Sequence, residues 1–268
     1  MDLEGRTILI TGATDGLGRQ LAFDLAGAGA TVLAHGRRQE RLDALTGELG
    51  DGARVQTYLA DLASLEEVRD LADRVAADHE ALHVLVSNAG VGARDEPTLS
   101  RDGNELRFAV NYLAGFLLTR RLLPLLRTGA PSRVVNVASA AQTPIDFDDV
   151  MLERGFSGSR AYAQSKLAQV MATIDLADEL AGDGVTVNAL HPATLMDTTM
   201  VRETFGGART TVREGADATL RLIADPGLQD ATGRYFEGTR EAEPHPQALD
   251  PEARAALRAL SERLTGGA

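Results

Sequence analysis

Short runs of β-branched and aliphatic residues alternate along this chain with longer stretches whose apolar positions recur every three or four residues. Strands are predicted at Thr7–Thr11, Thr31–His35, Arg54–Ala60, His83–Ser87, Arg133–Ala138, Thr186–Leu190 and Gly233–Phe236. The helical period occupies 17–28, 39–49, 64–78, 104–127, 159–181 and 210–224. Most strand runs are continuously apolar, as in a sheet with helices on both faces. Strict alternation implies an α/β fold: a doubly wound parallel sheet of about seven strands with right-handed crossovers. No linker splits the chain, so residues 1–268 read as one domain. Two stretches break the rhythm, 140–158 and 191–209. Each follows a strand C-terminus, the edge where open α/β sheets bind ligands, and both are expected substrate lids. The tail, 237–268, contains a helix announced by Asp250 at the N-cap and Pro251 at its first position.

Composition narrows the function. With 268 residues and 44% hydrophobic content the chain can bury one large core. A formal net charge of −12 argues against nucleic acid or an anionic membrane as partner. The chain has no cysteine, which excludes disulfides and thiolate metal sites and fits a reducing cytoplasm. The start, Met1-Asp2-Leu3-Glu4, is acidic where a secretory leader is basic, and no run approaches the ~20 apolar residues of a membrane span. Histidines 35, 79, 83, 191 and 245 lack ligand spacing, and no metal site is expected. The acids Asp146, Asp148 and Asp149 lack the glycine turn of a cation loop and read as a solvated lid.

Two places carry chemistry. Thr11-Gly12-Ala13-Thr14-Asp15-Gly16-Leu17-Gly18 links the first strand to the first helix, where glycines let the backbone approach a pyrophosphate that the helix N-terminus attracts. A tight β-α turn also wants glycine, but its place in an N-terminal β-α-β unit favours the nucleotide. The second strand ends Gly36-Arg37-Arg38, with glycine where an NAD-type fold carries an acid and two arginines suited to a 2′-phosphate. Cations at a helix N-terminus oppose its dipole by about 0.3–1 kcal/mol each, which points to an anion nearby. NADP(H) is therefore preferred over NAD(H), although Asp15 sets a carboxylate in the same turn.

The second place is Tyr162-Ala163-Gln164-Ser165-Lys166. Lys166 is the sole lysine, against twenty-six arginines. That suggests a position where a planar guanidinium cannot replace a compact ammonium. Four residues apart on a helix, phenol and ammonium share a face. At roughly 5 Å and an effective dielectric of about 20, the charge would favour phenolate by ~3 kcal/mol, lowering its pKa by about two units. The alternative is a solvent-facing lysine beside a packed tyrosine.

Together these features resemble the short-chain dehydrogenase/reductase family along nearly the whole chain. The resemblance adds Asp61-Leu62, Ser87-Asn88-Ala89-Gly90, Asn111, and Ser139 closing Val134–Ser139. The long Ser139-to-Tyr162 gap with Ile145–Asp149 is similar to the retinol-dehydrogenase-like and protochlorophyllide-reductase-like branch. Ser87 stands for the usual Asn, and His191-Pro192-Ala193 for the usual Pro-Gly. A Rossmann-type fold is implied, with hydride transfer between NADP(H) and a carbonyl or secondary alcohol of a small, largely apolar substrate.

The implied roles follow residue by residue. Tyr162 is the general acid/base, Lys166 lowers its pKa and holds the nicotinamide ribose, Ser139 orients the substrate oxygen, and Asn111 anchors a water connecting Lys166 to solvent. Gly12, Thr14, Asp15, Gly16, Leu17, Gly18, Gly36, Arg37, Arg38, Asp61, Leu62, Asn88, Ala89, Gly90 and Pro192 contact the cofactor. Thr194 and Thr198 both remain candidates for the carboxamide. Family members pair through helices like 104–127 and 159–181, implying a homodimer or homotetramer. A non-catalytic NADP(H)-binding sensor or scaffold on this fold would show erosion among Asn111, Ser139, Tyr162 and Lys166, which the sequence does not. Epimerases or dehydratases of extended relatives need more chain after the last strand.

Overall fold

A computed structural model describes residues 2–205 and 207–267. The expected strands form as β1 (Thr7–Ile10), β2 (Thr31–Gly36), β3 (Val55–Leu59), β4 (Val84–Ser87), β5 (Ser132–Val137), β6 (Val185–His191) and β7 (Tyr235–Glu237). They pair in parallel in the order β3-β2-β1-β4-β5-β6-β7. Between them run α1 (Gly16–Gly27), α2 (Gln39–Leu49), α3 (Leu65–Asp78), α4 (Ala114–Thr128) and α5 (Gly158–Glu179), then α6 (Thr199–Phe205), α7 (Val212–Ala224) and α8 (Pro251–Thr265).

The apolar runs fill two cores, one on each sheet face. In β1, Ile8 and Ile10 join one cluster and Leu9 the other; in β4, Val84 and Val86 lie opposite Leu85. Each such side chain, fully buried, contributes about 1.5–3 kcal/mol. Strand order reverses between β1 and β4, opening a crevice at the strand C-termini where a ligand fits.

The structure departs from expectation in four places. An eighth strand, β8 (Arg240–Ala242), pairs antiparallel with β7 through a hairpin. The stretch 191–209 contains α6, and its residue 206 lies outside the described residues. The helix expected over 104–127 begins with a π-helical segment, Phe108–Leu113. Finally, α8 lies over the face of α4 and α5 that was expected to pair between subunits. Leu257 and Ala253 join the core there, Tyr112 and Ser261 share a 2.7 Å hydroxyl hydrogen bond, and Arg258 and Arg254 reach Asp175 and Asp178 at 3.5 and 3.6 Å. That face is thus partly covered by the chain's own C-terminus. Among the described residues, no helix is long and apolar enough to cross a membrane.

Candidate active site

The glycine turn is built by close backbone contact. Gly12 and Gly16 adopt φ of +67° and +49°, the left-handed region that disfavours a side chain. A Cβ at Gly18 would sit 2.2 Å from the Gly12 carbonyl oxygen and 2.5 Å from Asn88 Nδ2. Asn88 Nδ2 itself donates to the Thr11 and Gly12 carbonyls at 2.9 and 3.2 Å, while the Asn88 and Ala89 amides donate to Thr11 Oγ1, each at 3.0 Å. Asn88 is therefore a brace for the turn. Because backbone cannot step aside, Gly18→Ala should weaken dinucleotide binding at least ~10-fold and destabilise the fold by about 1–3 kcal/mol. Cofactor titration and thermal unfolding measure both; an unchanged melting curve and affinity would refute this close approach.

Beneath the turn lies a residue that the sequence reading passed over. His35 is buried at the end of β2, accepts the Gly12 N–H on Nδ1 at 3.1 Å, and donates from Nε2 to the Ala60 carbonyl at 3.1 Å. Burial holds its pKa down at about 4, so it stays neutral and keeps the acceptor that Gly12 needs.

At the adenosine end, a Cβ on Gly36 would meet Thr14 Cγ2 at 2.7 Å, so the place of an acidic side chain is filled by Thr14. Asp15 is already satisfied: it caps α1 by accepting the Gly16 N–H at 2.8 Å, and Arg41 stands 3.5 Å from its other oxygen. Arg38 pairs with Glu40 at 3.6 Å, whereas exposed Arg37 makes no salt bridge among the described residues. A cleft of about 240 Å³ lined by Thr14, Asp15, Arg19, Arg41 and Thr199 opens beside them. Asp61 accepts the Ala63 N–H and lies 3.5 Å from Arg101. The side chains of Leu17 and Leu62 are buried in the cores. Glycine cradle and helix terminus together fit a dinucleotide.

At the other end, β5, α5 and the π-helical segment bring four expected side chains to one crevice. Asn111 is 1% exposed; its Oδ1 accepts the Val91 N–H at 2.7 Å, and Nδ2 donates to the Val91 carbonyl and to Ser165 Oγ at 3.2 and 3.0 Å. The widened π turn sets the amide between α5 and the loop after β4, as such bulges commonly do at functional sites. A Cβ on Gly90 would lie 3.2 Å from Asn111 Oδ1 and 3.8 Å from Lys166 Nζ, so these three groups share one space. Ser139 follows β5; its carbonyl accepts from Gln142 Nε2 and the Tyr235 hydroxyl at 3.0 and 3.2 Å, and its Oγ accepts the Ala141 N–H at 3.1 Å.

The phenol and the amine titrate differently from the sequence expectation. Burial pushes the half-buried Tyr162 phenol above its ordinary value, and a hydrogen bond with Ser139 draws it partly back. Lys166 Nζ lies 5.8 Å from the centre of the Tyr162 ring and donates to the Val137 carbonyl and Gln169 Oε1 at 2.8 and 2.9 Å. Burial brings the amine down to about 7. The charge-on-phenol estimate omitted desolvation, which opposes ammonium and phenolate alike. The pair is therefore a neutral phenol beside an amine poised near neutrality, correcting the expected acidic phenol.

The two candidate threonines separate. Thr194 is exposed, with Oγ1 3.1 Å from His191 Nε2. Thr198 Oγ1 accepts the Val201 N–H at 3.3 Å, and its methyl lies 2.8 Å from where a Gly16 Cβ would stand. Thr198 thus starts α6 against the phosphate turn, leaving Thr194 beyond buried Pro192 on the β6 side of the crevice.

Both lids are fastened down. Ile145 and Val150 of the first join the core, Leu152 is buried beside them in sequence, and Gln247 grips Ile145 from both sides, accepting its N–H at 2.7 Å and donating to its carbonyl at 3.0 Å. Arg94, in the loop after β4, forms an ion pair with Glu203 of α6 and so links that loop to the second lid. Each lid holds one non-glycine residue in the left-handed region, Leu152 at φ 52° and Leu195 at φ 49°, a conformation costing of order 1–3 kcal/mol. Lid shape is therefore set by the surrounding contacts.

Known proteins resemble this chain in sequence and fold. Mouse (Mus musculus) retinol dehydrogenase 13 is 36% identical over 284 residues, spanning 98% of this chain and 85% of that protein. A crystal structure from Mycobacterium paratuberculosis superposes with a TM-score of 0.83 at 32% identity, covering 99% of this chain and 95% of that one. The Pseudomonas aeruginosa RhlG/NADP active-site complex superposes at 0.72 with 28% identity, covering 88% of this chain and 95% of that one. The short chain dehydrogenase family description matches residues 6–208, and the chain belongs to that family.

Proposed function

We propose that this protein is an NADP(H)-dependent carbonyl reductase or alcohol dehydrogenase in which Tyr162 moves the proton. The observation that carries the reading is the meeting of Ser139, Tyr162 and Lys166 at the strand edge beside the glycine cradle. A reduced nicotinamide, when bound, supplies the hydride that reduces a carbonyl carbon. Gly12, Gly16, Gly18 and the α1 N-terminus would hold its pyrophosphate, Gly90 and Lys166 the nicotinamide ribose, and Thr194 the carboxamide. Ser139 orients the substrate oxygen. Tyr162, kept protonated by burial, donates its phenolic proton as that oxygen gains charge. Lys166, when charged, can then supply a proton to restore the phenol and regain one from solvent near neutral pH. In oxidation the same groups run in reverse.

The half-buried Phe156, Leu195 and Met200 along the lids suit a largely apolar substrate. The side chain of Phe205, in the same lid, lies outside the described residues. Likeness to retinol dehydrogenase 13 supports the same branch and substrate class. A homodimer or homotetramer would use surface that α8 leaves uncovered, and a cytoplasmic setting suits the cysteine-free chain. The functional test is oxidation of NADPH by the full chain against a panel of apolar aldehydes and ketones. Turnover supports the reading, whereas NADPH binding without turnover on any member would favour a sensor.

The NADP(H) preference rests on Arg37. Loss of a charge-assisted contact of about 1.5–3 kcal/mol predicts that Arg37→Ala weakens NADPH binding ~10–100-fold and NADH binding only slightly. Equal losses for the two nucleotides would contradict a 2′-phosphate at this arginine.

A further inference from the structure

The geometry points to Gln169 as a positioning residue for Lys166: its buried amide oxygen holds the amine in place and sets the pH at which it carries a charge. This rests on reading Lys166 as the partner of Tyr162. Gln169 lies three residues after Lys166 on α5, one of the two spacings that bring side chains together on a helix. It is 5% exposed, and its Oε1 is 2.9 Å from Lys166 Nζ. An ammonium only donates, so the amide must turn its oxygen, not its nitrogen, toward Nζ. With the Val137 carbonyl at 2.8 Å, Lys166 has two acceptors, both neutral dipoles.

That choice of partner matters. A carboxylate at the same distance would hold the amine charged throughout the neutral range. An apolar side chain would leave a buried cation one acceptor short. A neutral amide does neither. It accepts from the ammonium at 2.9 Å without adding a charge of its own.

Gln169 is itself held from outside the active site. Its backbone carbonyl accepts the Thr173 hydroxyl at 2.8 Å, and that hydroxyl accepts Asn136 Nδ2 from β5 at 2.8 Å. Its side chain also lines a small cavity of about 30 Å³ beneath α8, together with Tyr112, Asn136, Leu257 and several charged groups. The charged and titratable groups around this pair come from every packed element. Tyr162 lies on α5 and His191 ends β6, while across the cavity stand Asp175 of α5, Arg120 of α4, and Arg254 and Arg258 of α8. Among these, Asp175 and Arg258 already pair at 3.5 Å, and Arg120 pairs with Glu179 at 2.7 Å. Gln169 lines the cavity that these groups share and also contacts the amine.

The single lysine makes the test direct, because full-length protein labelled with ¹³C- and ¹⁵N-lysine gives one side-chain signal, that of Lys166. Its titration is followed in the parent protein, in Gln169→Met, which keeps the bulk and removes the acceptor, and in Gln169→Glu. Gln169→Met should move the midpoint down, and Gln169→Glu should move it up by about 1–3 pH units. The limb of the turnover–pH profile that reports Lys166 should follow in the same directions. Midpoints that coincide with the parent in both folded variants would overturn the assignment, and should Gln169→Glu fail to fold, Gln169→Met decides alone. A signal that moves as expected while the turnover profile stays fixed upholds Gln169 as the residue that holds the amine, and overturns instead the catalytic reading of Lys166.

Discussion

Tyr162→Phe is expected to lower turnover by about 10²–10⁴-fold while NADPH binding stays within a few-fold of the parent. The substitution removes one oxygen and keeps the ring. The ring is half-buried on α5, with Lys166 Nζ 5.8 Å from its centre, so the surrounding packing survives. What disappears is the phenolic hydroxyl, the proposed proton donor. Hydride delivery to a carbonyl would then create an alkoxide with no acid beside it. Single-turnover oxidation of NADPH measures the chemical step, and direct fluorescence titration measures binding. Comparable loss of both would reassign Tyr162 to cofactor binding, and retention of both would remove it from the chemistry.

Lys166→Arg should be nearly as damaging, even though it preserves formal charge. The amine occupies a compact, buried position between the Val137 carbonyl and Gln169 Oε1, at 2.8 and 2.9 Å. A guanidinium is planar and wider, and it cannot be deprotonated in a protein. It would lose both the fit and the titration near pH 7 that burial imposes on the lysine. A fall of roughly 10²–10³-fold in turnover is expected, with any residual activity no longer showing a limb near neutral pH. An arginine variant with parental turnover would mean that any positive charge serves here. The use of arginine at every other basic position in the chain would then have no chemical counterpart at this one.

Much of this architecture was readable because strands buried on both faces leave continuous apolar runs. Strands β1, β2, β4 and β6 lie on or near such runs, and the helices between the strands follow from the remaining period. The exceptions share a physical reason: their structure depends on partners distant in sequence. The strand β8 is three residues, Arg-Glu-Ala, two of them charged, and exists because β7 offers an open edge. The helix α6 is seven residues with no preceding apolar period, started by the hydroxyl of Thr198. The π-helical segment around Asn111 keeps the apolar pattern of an ordinary helix, so nothing in the sequence marks the extra residue in its turn.

The site divides in the same way. The glycine turn, Ser139, Tyr162 and Lys166 were visible as residue types at set spacings. His35 was not, because its task comes from the end of β2 lying under Gly12, a tertiary contact. Gln169 did carry a signal, its three-residue offset from Lys166, which gains meaning only once the lysine is known to be buried. The direction of the Tyr162 shift was misjudged for that same reason. Spacing along a helix reports which charges are neighbours, but not how much water they have lost.

The central claim is that hydride from a bound reduced nicotinamide and a proton from Tyr162 reach one carbonyl group. It is tested most directly by following deuterium from NADPH labelled at C4 into the alcohol product, by mass spectrometry, for the parent protein and Tyr162→Phe side by side. Deuterium transferred by the parent and at least ~100-fold more slowly by the variant is the expected result. Equal rates of transfer by the two proteins would contradict it.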